Sequence, residues 1–361
     1  MNRYSSHKIR FERPDLDELI KQYAVVDLHF HSKYSDGNNA VSSIAKRARE
    51  LGIGIAITDH NEIKGAVEID RYRGILNIPG IEVTSREGTH LLIYFYEISS
   101  LKKFYKKDIL PNMGHDIMSS TRLEMEEIIR RARAFVTIVV FPHPYSATFT
   151  GIQNTYFPED RLERIFEMVD GIEVINAENL TKWNLRSALL GFNLDKGITG
   201  GSDGHRLPQM GRAVCYASCK KDRRSFLDAI KHRKTRVVGK EIDIIRKVRS
   251  NGVKLRTNIR NYPDLMEKNL KYSYSVINSK SKIIKDSIKR SFSGKFKERR
   301  RRPTTGIIGF FDKLRNQSPP STIKALYFPF THMTSFGTGY VTQNELTALL
   351  ITILYFTQFW L

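Results

Sequence analysis

At 361 residues, with 40% hydrophobic and 27% charged side chains, the chain has the composition of a globular protein able to bury one large core or two ordinary ones. Two cysteines, Cys215 and Cys219, are too few for a disulfide framework or a four-thiolate zinc site, which fits a reducing, cytoplasmic setting. The formal charge of +21 is concentrated: residues 220–302 hold 28 Lys and Arg against 8 Asp and Glu, and the rest is near balance at 31 against 30.

Residues 1–24 mix both charges and lack a continuous apolar run, so they read as an N-terminal extension and not as a secretory signal. Short apolar runs at 24–26, 53–57, 75–83, 91–96, 135–141, 171–175 and 197–199 predict strands. Amphipathic stretches at 42–51, 122–133, 158–169, 180–190 and 223–232 predict helices. This alternation argues for an α/β protein with a parallel sheet or barrel. About seven strands suit a closed or nearly closed βα barrel, whose catalytic face is built from the loops after the strands.

Regularity fades after residue 240. Residues 241–305 read as a basic linker, and 306–361 as an apolar tail in which 325–361 carry one formal charge, Glu345. The basic segment 220–302 is a candidate contact for RNA or DNA phosphates, or for anionic lipid. The final run, 346–361, is roughly 24 Å long as a helix and short of the ~20 residues that span a bilayer. A membrane-associated tail and a helix packed on the protein both fit.

Ten histidines are present, and six fall at or beside predicted strands. The first strand runs into Asp27-Leu28-His29-Phe30-His31, followed by Ser32-Lys33-Tyr34-Ser35-Asp36-Gly37. Two histidines two apart on a strand end reach one ion only where the backbone curls, as a strand-to-loop junction permits. Thr58-Asp59-His60-Asn61 ends the second strand, Gly80-Ile81-Glu82 belongs to the third, and His90 opens the fourth. Pro142-His143-Pro144 closes the fifth, and Ser202-Asp203-Gly204-His205 follows the last. Buried carboxylates and imidazoles are costly unless paired or coordinated. Their recurrence at one end of successive strands therefore points to a metal cluster.

The segments DLHFHSKYSDG, AITDHN, PGIEVTS, THLLIYFY, FPHP, GIEVINAEN and GGSDGH resemble the successive motifs of the PHP (polymerase and histidinol phosphatase) family. The likeness covers residues 25 to about 215, and the stretch 211–240 resembles the segment that often follows, giving a domain of 25–240. It implies a distorted (β/α)7 TIM-like barrel holding two or three divalent metals, usually Mn, Zn or Fe. On this resemblance His29, His31, Glu82 and Asp203 hold a first metal, and Glu82 bridges to a second completed by His90 and His143. Asp36, His60 and His205 hold a third. Asp36 departs from the histidinol phosphatase branch and resembles the nucleotide and oligonucleotide phosphatase branch.

The expected activity is hydrolysis of phosphate mono- or diesters by a metal-activated hydroxide, on nucleotides or short oligonucleotides. A small-metabolite phosphatase, such as histidinol phosphatase, is the alternative enzyme. A non-catalytic nucleic-acid- or membrane-binding module is the alternative of another class. Asp203, His205 and Asp59 are the candidate catalytic residues; Asp59 either orients an imidazole or caps the following helix. Lys33, Arg86, Arg206 and Asn176, with Asn179, are the candidate substrate contacts.

Overall fold

A computed structural model describes residues 8–146, 150–153, 155 and 157–241. The basic linker and the apolar tail expected beyond residue 241 lie outside the described residues. In chain order the elements are β1 (Ile9–Arg10), α1 (Leu16–Gln22), β2 (Ala24–Phe30), α2 (Val41–Glu50), β3 (Gly54–Ile57) and α3 (Lys64–Ile69). There follow β4 (Gly80–Thr84), β5 (His90–Phe95), α4 (Ile98–Phe104), α5 (Met125–Ala132), β6 (Thr137–Phe141) and α6 (Glu159–Met168). The rest are β7 (Gly171–Asn176), α7 (Thr181–Asn193), β8 (Gly197–Gly201), β9 (Ala213–Ala217), α8 (Arg223–Lys231) and β10 (Arg236–Gly239). The fold is mixed α/β, with two five-stranded sheets ordered β1-β10-β9-β2-β3 and β4-β5-β6-β7-β8.

Helix α2 shows how the layers are held. Val41, Ile44, Ala45 and Ala48 fall on one face at helical spacing and are buried. They pack with Phe30 of β2, Ile55 and Ile57 of β3, and Ile69 of α3. Burying a large apolar side chain of this kind contributes about 1.5–3 kcal/mol. Helix α5 repeats the device with Met125, Ile128, Ile129 and Ala132. Strands β2 to β9 are buried along their whole length, including the polar residues Asp27, His29, Glu82 and Glu173 that they carry inward. Among the described residues no helix is long and apolar enough to cross a membrane.

Two expectations need correction. The strand predicted over 75–83 begins only at Gly80; Pro79 has no N–H to offer a ladder. The sheet is also not all parallel, because β5 runs antiparallel to both β4 and β6. The link between β4 and β5 is five residues, too short for a crossover helix, and it turns at Gly88 with φ +85°. Helices α1, α3 and α4 have six or seven residues each, too short to register in the sequence periodicity. Residues expected as an extension ahead of the barrel supply β1, which pairs in parallel with β10.

Strands β2 to β8 are the seven on which the barrel expectation rests. Isolated bridges join the two sheets at two seams. Ile55–Asn77 and His60–Glu82 connect the β3 and β4 sides, and Phe30–Gly204 connects β2 to the loop after β8. At the second seam a residue without a side chain is required. A Cβ on Gly201 would stand 2.4 Å from His29 Cβ and 2.7 Å from the His29 backbone nitrogen. Gly201→Ala is therefore expected to cost about 1–3 kcal/mol through forced separation of β8 from β2, read as a lower urea midpoint. A midpoint unchanged from wild type would contradict that close approach.

Candidate metal centre

The nine residues expected as ligands converge at one end of the strands. The β2–β3 register shifts between Asp27 and Phe30, the irregularity that the His29–His31 pair needs at the strand end. His60 follows β3, Glu82 lies within β4, His143 follows β6, and Asp203 and His205 follow β8. His90 is the first residue of its strand, yet it joins the same cluster because β5 runs the other way.

Glu82 sits at the centre. Its carboxylate lies 2.9 Å from His90 Nδ1, 3.1 Å from His60 Nδ1, 3.3 Å from His143 Nε2, 3.4 Å from His29 Nε2 and 3.5 Å from His31 Nε2. The five rings form a closed circuit, with successive centroids 4.7–5.8 Å apart. Asp203 Oδ1 approaches His31 Nε2 at 3.1 Å and His29 Nε2 at 3.5 Å. Asp36 Oδ2 meets His205 Nε2 at 2.7 Å, and its Oδ1 is 3.5 Å from His31 Nδ1 and 3.8 Å from His60 Nε2.

Burial works against ionised Glu82, yet His90, His60 and His29 around it hold the carboxyl well below its usual range. Asp203 and Asp36 are held low in the same way, against burial, by His29 and His205 respectively. Burial pulls His29 down, but Asp203, Glu173 and Glu82 together raise it well above an ordinary imidazole. For His60 burial wins, and its value falls to about 3. The cluster thus keeps its carboxylates charged and demands positive charge among them.

Residues outside the nine fix their orientation. Glu173 Oε1 lies 3.0 Å from His29 Nδ1, and Oε2 accepts from the His143 backbone N–H at 2.8 Å and from Asn176 Nδ2 at 3.0 Å. Asn176 Nδ2 also reaches Asp203 Oδ2 at 3.2 Å. Asp27 accepts from the Ser202 and Gly211 backbone N–H groups, both at 2.9 Å, and so clamps the loop that carries Asp203. Asp59 receives the Ser32 N–H at 2.7 Å, the Ser32 hydroxyl at 2.7 Å and the Ser35 hydroxyl at 2.8 Å. It therefore braces the loop between His31 and Asp36; it hydrogen-bonds no imidazole, and α3 begins beyond it at Lys64. Asn61 Nδ2 donates to the carbonyls of Ile117 and Ser119, and its Oδ1 accepts from Thr84 N–H.

Neither Asp27 nor Glu173 was singled out in the sequence. The second had a signal: Gly80-Ile81-Glu82-Val83 recurs as Gly171-Ile172-Glu173-Val174, with both glutamates buried. Three residues at the site hold left-handed backbone, Asn61 at φ +44°, His143 at +29° and Asp203 at +49°. Such conformations cost of order 1–3 kcal/mol each and persist only where the surroundings over-determine them.

The expected substrate contacts fare differently. Asn176 lies inside the cluster and touches a ligand candidate. Arg86 is engaged by Glu124, Lys33 lies over the Tyr34 ring with Nζ 5.4 Å from its centroid, and Arg206 is exposed. Asn179 Nδ2 donates to the Tyr145 carbonyl at 2.5 Å. Among the described residues a further acidic group, Glu87, Glu124 and Glu126, surrounds Arg161, which already supplies its counter-charge. Both cysteines are free, and Cys215 is buried in β9.

The donor set fits divalent cations. With Glu173 accepting from Nδ1, His29 would meet a metal ion through Nε2, the nitrogen that faces Glu82 and Asp203. Likewise His205 Nδ1 lies 2.8 Å from the Asp203 carbonyl, which leaves Nε2 as the lone pair opposite Asp36. His29 Nε2, His31 Nδ1, His143 Nδ1 and Glu82 Oε2 are buried without a hydrogen-bond partner. Ligand atoms about 2.0–2.2 Å from one ion lie about 3–3.5 Å from each other, the range seen here. Four groups drawn from the nine bring three ligand atoms within 4.8 Å.

Fold and site together define a mixed α/β protein with a buried cluster of histidines and carboxylates suited to divalent metals. Residues 27–163 match the PHP domain family. Over 166 residues, 42% of this chain and 81% of the relative, the sequence is 31% identical to an uncharacterized protein from Methanocaldococcus jannaschii. The chain belongs to the PHP domain family. Among solved structures it is similar to a two-domain protein from Bacteroides vulgatus containing a predicted PHP-like metal-dependent phosphoesterase. That match has 18% identity, covers 67% of this chain and 73% of the other, and has a TM-score of 0.47. It is similar also to the lesion-specific endonuclease PfuEndoQ from Pyrococcus furiosus, at 18% identity, 60% and 57% coverage, and a TM-score of 0.49.

Burial raises Asp27 from 3.8 to about 6, against the Gly211 and Ser202 hydrogen bonds. The native state then holds this proton more tightly than the unfolded chain. The resulting stabilisation is complete below about pH 4 and lost as pH rises through 6. In chelator-treated protein, wild type is expected to lose about 2 kcal/mol relative to Asp27→Asn between pH 4 and 7, measured by urea unfolding. Parallel pH dependence of the two proteins would exclude a raised Asp27.

Proposed function

We propose that this protein is a metal-dependent phosphoesterase that hydrolyses phosphate mono- or diesters, with nucleotides or short oligonucleotides as the favoured substrates. The observation that carries the reading is a single buried carboxylate, Glu82, within 3.5 Å of five imidazoles, several of whose nitrogens lack partners. Divalent cations held there supply the Lewis acidity for such a reaction, polarising phosphoryl oxygens and making hydroxide accessible near neutral pH.

Within this reading His29, His31, Glu82 and Asp203 hold one ion, and Glu82, His90 and His143 a second. Asp36, His60 and His205 hold a third. Glu173 keeps the His29 proton on Nδ1, and Asn176 orients Asp203. Asp27 and Asp59 act as braces for the two ligand-bearing loops, and are not proton donors to substrate. Asp36 supports a nucleotide-type substrate over histidinol phosphate, by the resemblance drawn from the motif around it. We further read β2 to β8, with their two bridged seams, as the distorted (β/α)7 barrel of a domain spanning 25–240.

With Mn²⁺, Zn²⁺ or Fe²⁺ added, purified protein is expected to hydrolyse bis(p-nitrophenyl) phosphate and to lose that activity on chelation. His31→Ala and Asp203→Ala should each reduce the rate by at least about a hundredfold. Activity that survives both substitutions sinks the reading. Glu173→Gln, which keeps shape but not charge, should weaken metal affinity about 10–100-fold in a chelator-competition titration. An affinity equal to wild type would remove Glu173 from the orienting role.

A further inference from the structure

A cleft of about 790 Å³ is bounded by Tyr34, by α3 and the turn after it as far as Tyr72, by Lys102 of α4 and by Tyr105. Its volume is within the range of organic ligand sites. None of the nine ligand candidates lines it, but two of its residues stand close to them along the chain. Tyr34 lies in the loop between ligand candidates His31 and Asp36, and Glu62 is two residues beyond His60. From there the lining follows the outer face of α3 through Val67 and Glu68 and then the turn carrying Arg71 and Tyr72, while Gly65, Ala66 and Ile69 are buried.

The wall chemistry is specific. Three phenol rings, Tyr34, Tyr72 and Tyr105, share the cleft with three cations, Lys64, Arg71 and Lys102. Its carboxylates are already engaged. Glu68 accepts from Tyr34 Oη at 2.8 Å, and Glu62 accepts from the Ile63 and Lys64 backbone N–H groups and pairs with Lys64 Nζ at 3.0 Å. Arg71 and Lys102 are exposed and form no ion pair among the described residues. Flat aromatic faces combined with uncommitted cations suit a ligand that carries both a planar ring and negative charge. A nucleotide has both.

We propose that this cleft binds the nucleotides flanking the scissile phosphate of a single-stranded oligonucleotide, with Arg71 and Lys102 on backbone phosphates and the tyrosines against bases. This rests on the phosphoesterase reading for the reaction, but not for the binding. Removing either cation from its phosphate should reduce the salt dependence of binding by about one unit of slope.

The test uses the full-length chain and its Arg71→Ala/Lys102→Ala double variant, with circular dichroism melting to establish folding. With metal, the ratio of kcat/KM on a single-stranded hexanucleotide to that on bis(p-nitrophenyl) phosphate should fall about tenfold in the double variant, through KM. A ratio within twofold of wild type overturns the cleft assignment. If wild type hydrolyses neither substrate, the phosphoesterase reading fails while the cleft is still decided by fluorescence anisotropy of the labelled hexanucleotide. Weaker binding by the double variant with a shallower salt slope supports the cleft; identical isotherms overturn it. Should the double variant melt early, Arg71→Gln and Lys102→Gln singly, read by the same ratio, serve in its place.

Discussion

Everything at the active end of this molecule is arranged around the difficulty of burying the Glu82 carboxylate. Removing a carboxylate from water is expensive, and among the described residues no Arg or row of backbone N–H groups compensates it. Five imidazoles from the ends of four strands do so instead, and an imidazole lone pair repels a carboxylate unless a proton or a metal cation stands between them. The strand order follows from this need. His29 and His31 must reach Glu82 from one sheet and His90 and His143 from the other, so the two sheets have to meet here. The bridge between His60 and Glu82 is one such seam, and Phe30–Gly204 is the other. The contacts that gather the histidines are also among those that bridge the two sheets.

Backbone strain concentrates on the same residues. His143 and Asp203 occupy left-handed conformations, and each is caught by a partner belonging to another strand. The His143 N–H donates to Glu173, while Asp203 is held by Asn176 and its loop by Asp27. These supports come from interior strand positions, where alternate side chains point inward at fixed heights. Rigid strands thus position irregular loop ends. A substitution at Asp27 or Glu173 would disturb the centre without removing any residue that touches an ion.

The clustering of the nine candidates was legible in the sequence because they follow a positional rule, with ligand-type residues at the ends of apolar runs beside Gly or Pro. His90 satisfied the rule only by its adjacency to a strand; that it belongs to the same end required β5 to run backwards, which the five-residue link to β4 enforces. Glu173 escaped because an acidic residue inside Gly-Ile-Glu-Val-Ile reads as one polar interruption of a buried strand. The role of Asp59 escaped for another reason. Its partners Ser32 and Ser35 lie 27 and 24 residues away, and no local pattern distinguishes a loop brace from a helix cap. The cleft was invisible in sequence because Tyr34, Arg71, Lys102 and Tyr105 come from separate segments, each unremarkable alone.

Charge also sets an order of events for the proposed reaction. Asp36, Glu82 and Asp203 stay ionised in the buried cluster, held there by the histidines around them. A phosphate group brought against three such carboxylates would be repelled at a distance where little water remains to screen it. In the proposed reaction, cations held by the cluster would therefore enter before substrate and would supply the positive charge that a phosphate needs there. The flanking cations Arg71 and Lys102 stand outside that requirement, since no carboxylate pairs with them among the described residues. They can hold an anionic chain at the rim whatever the centre contains, so weak capture of substrate by the rim need not wait for metal, whereas its advance to the centre does.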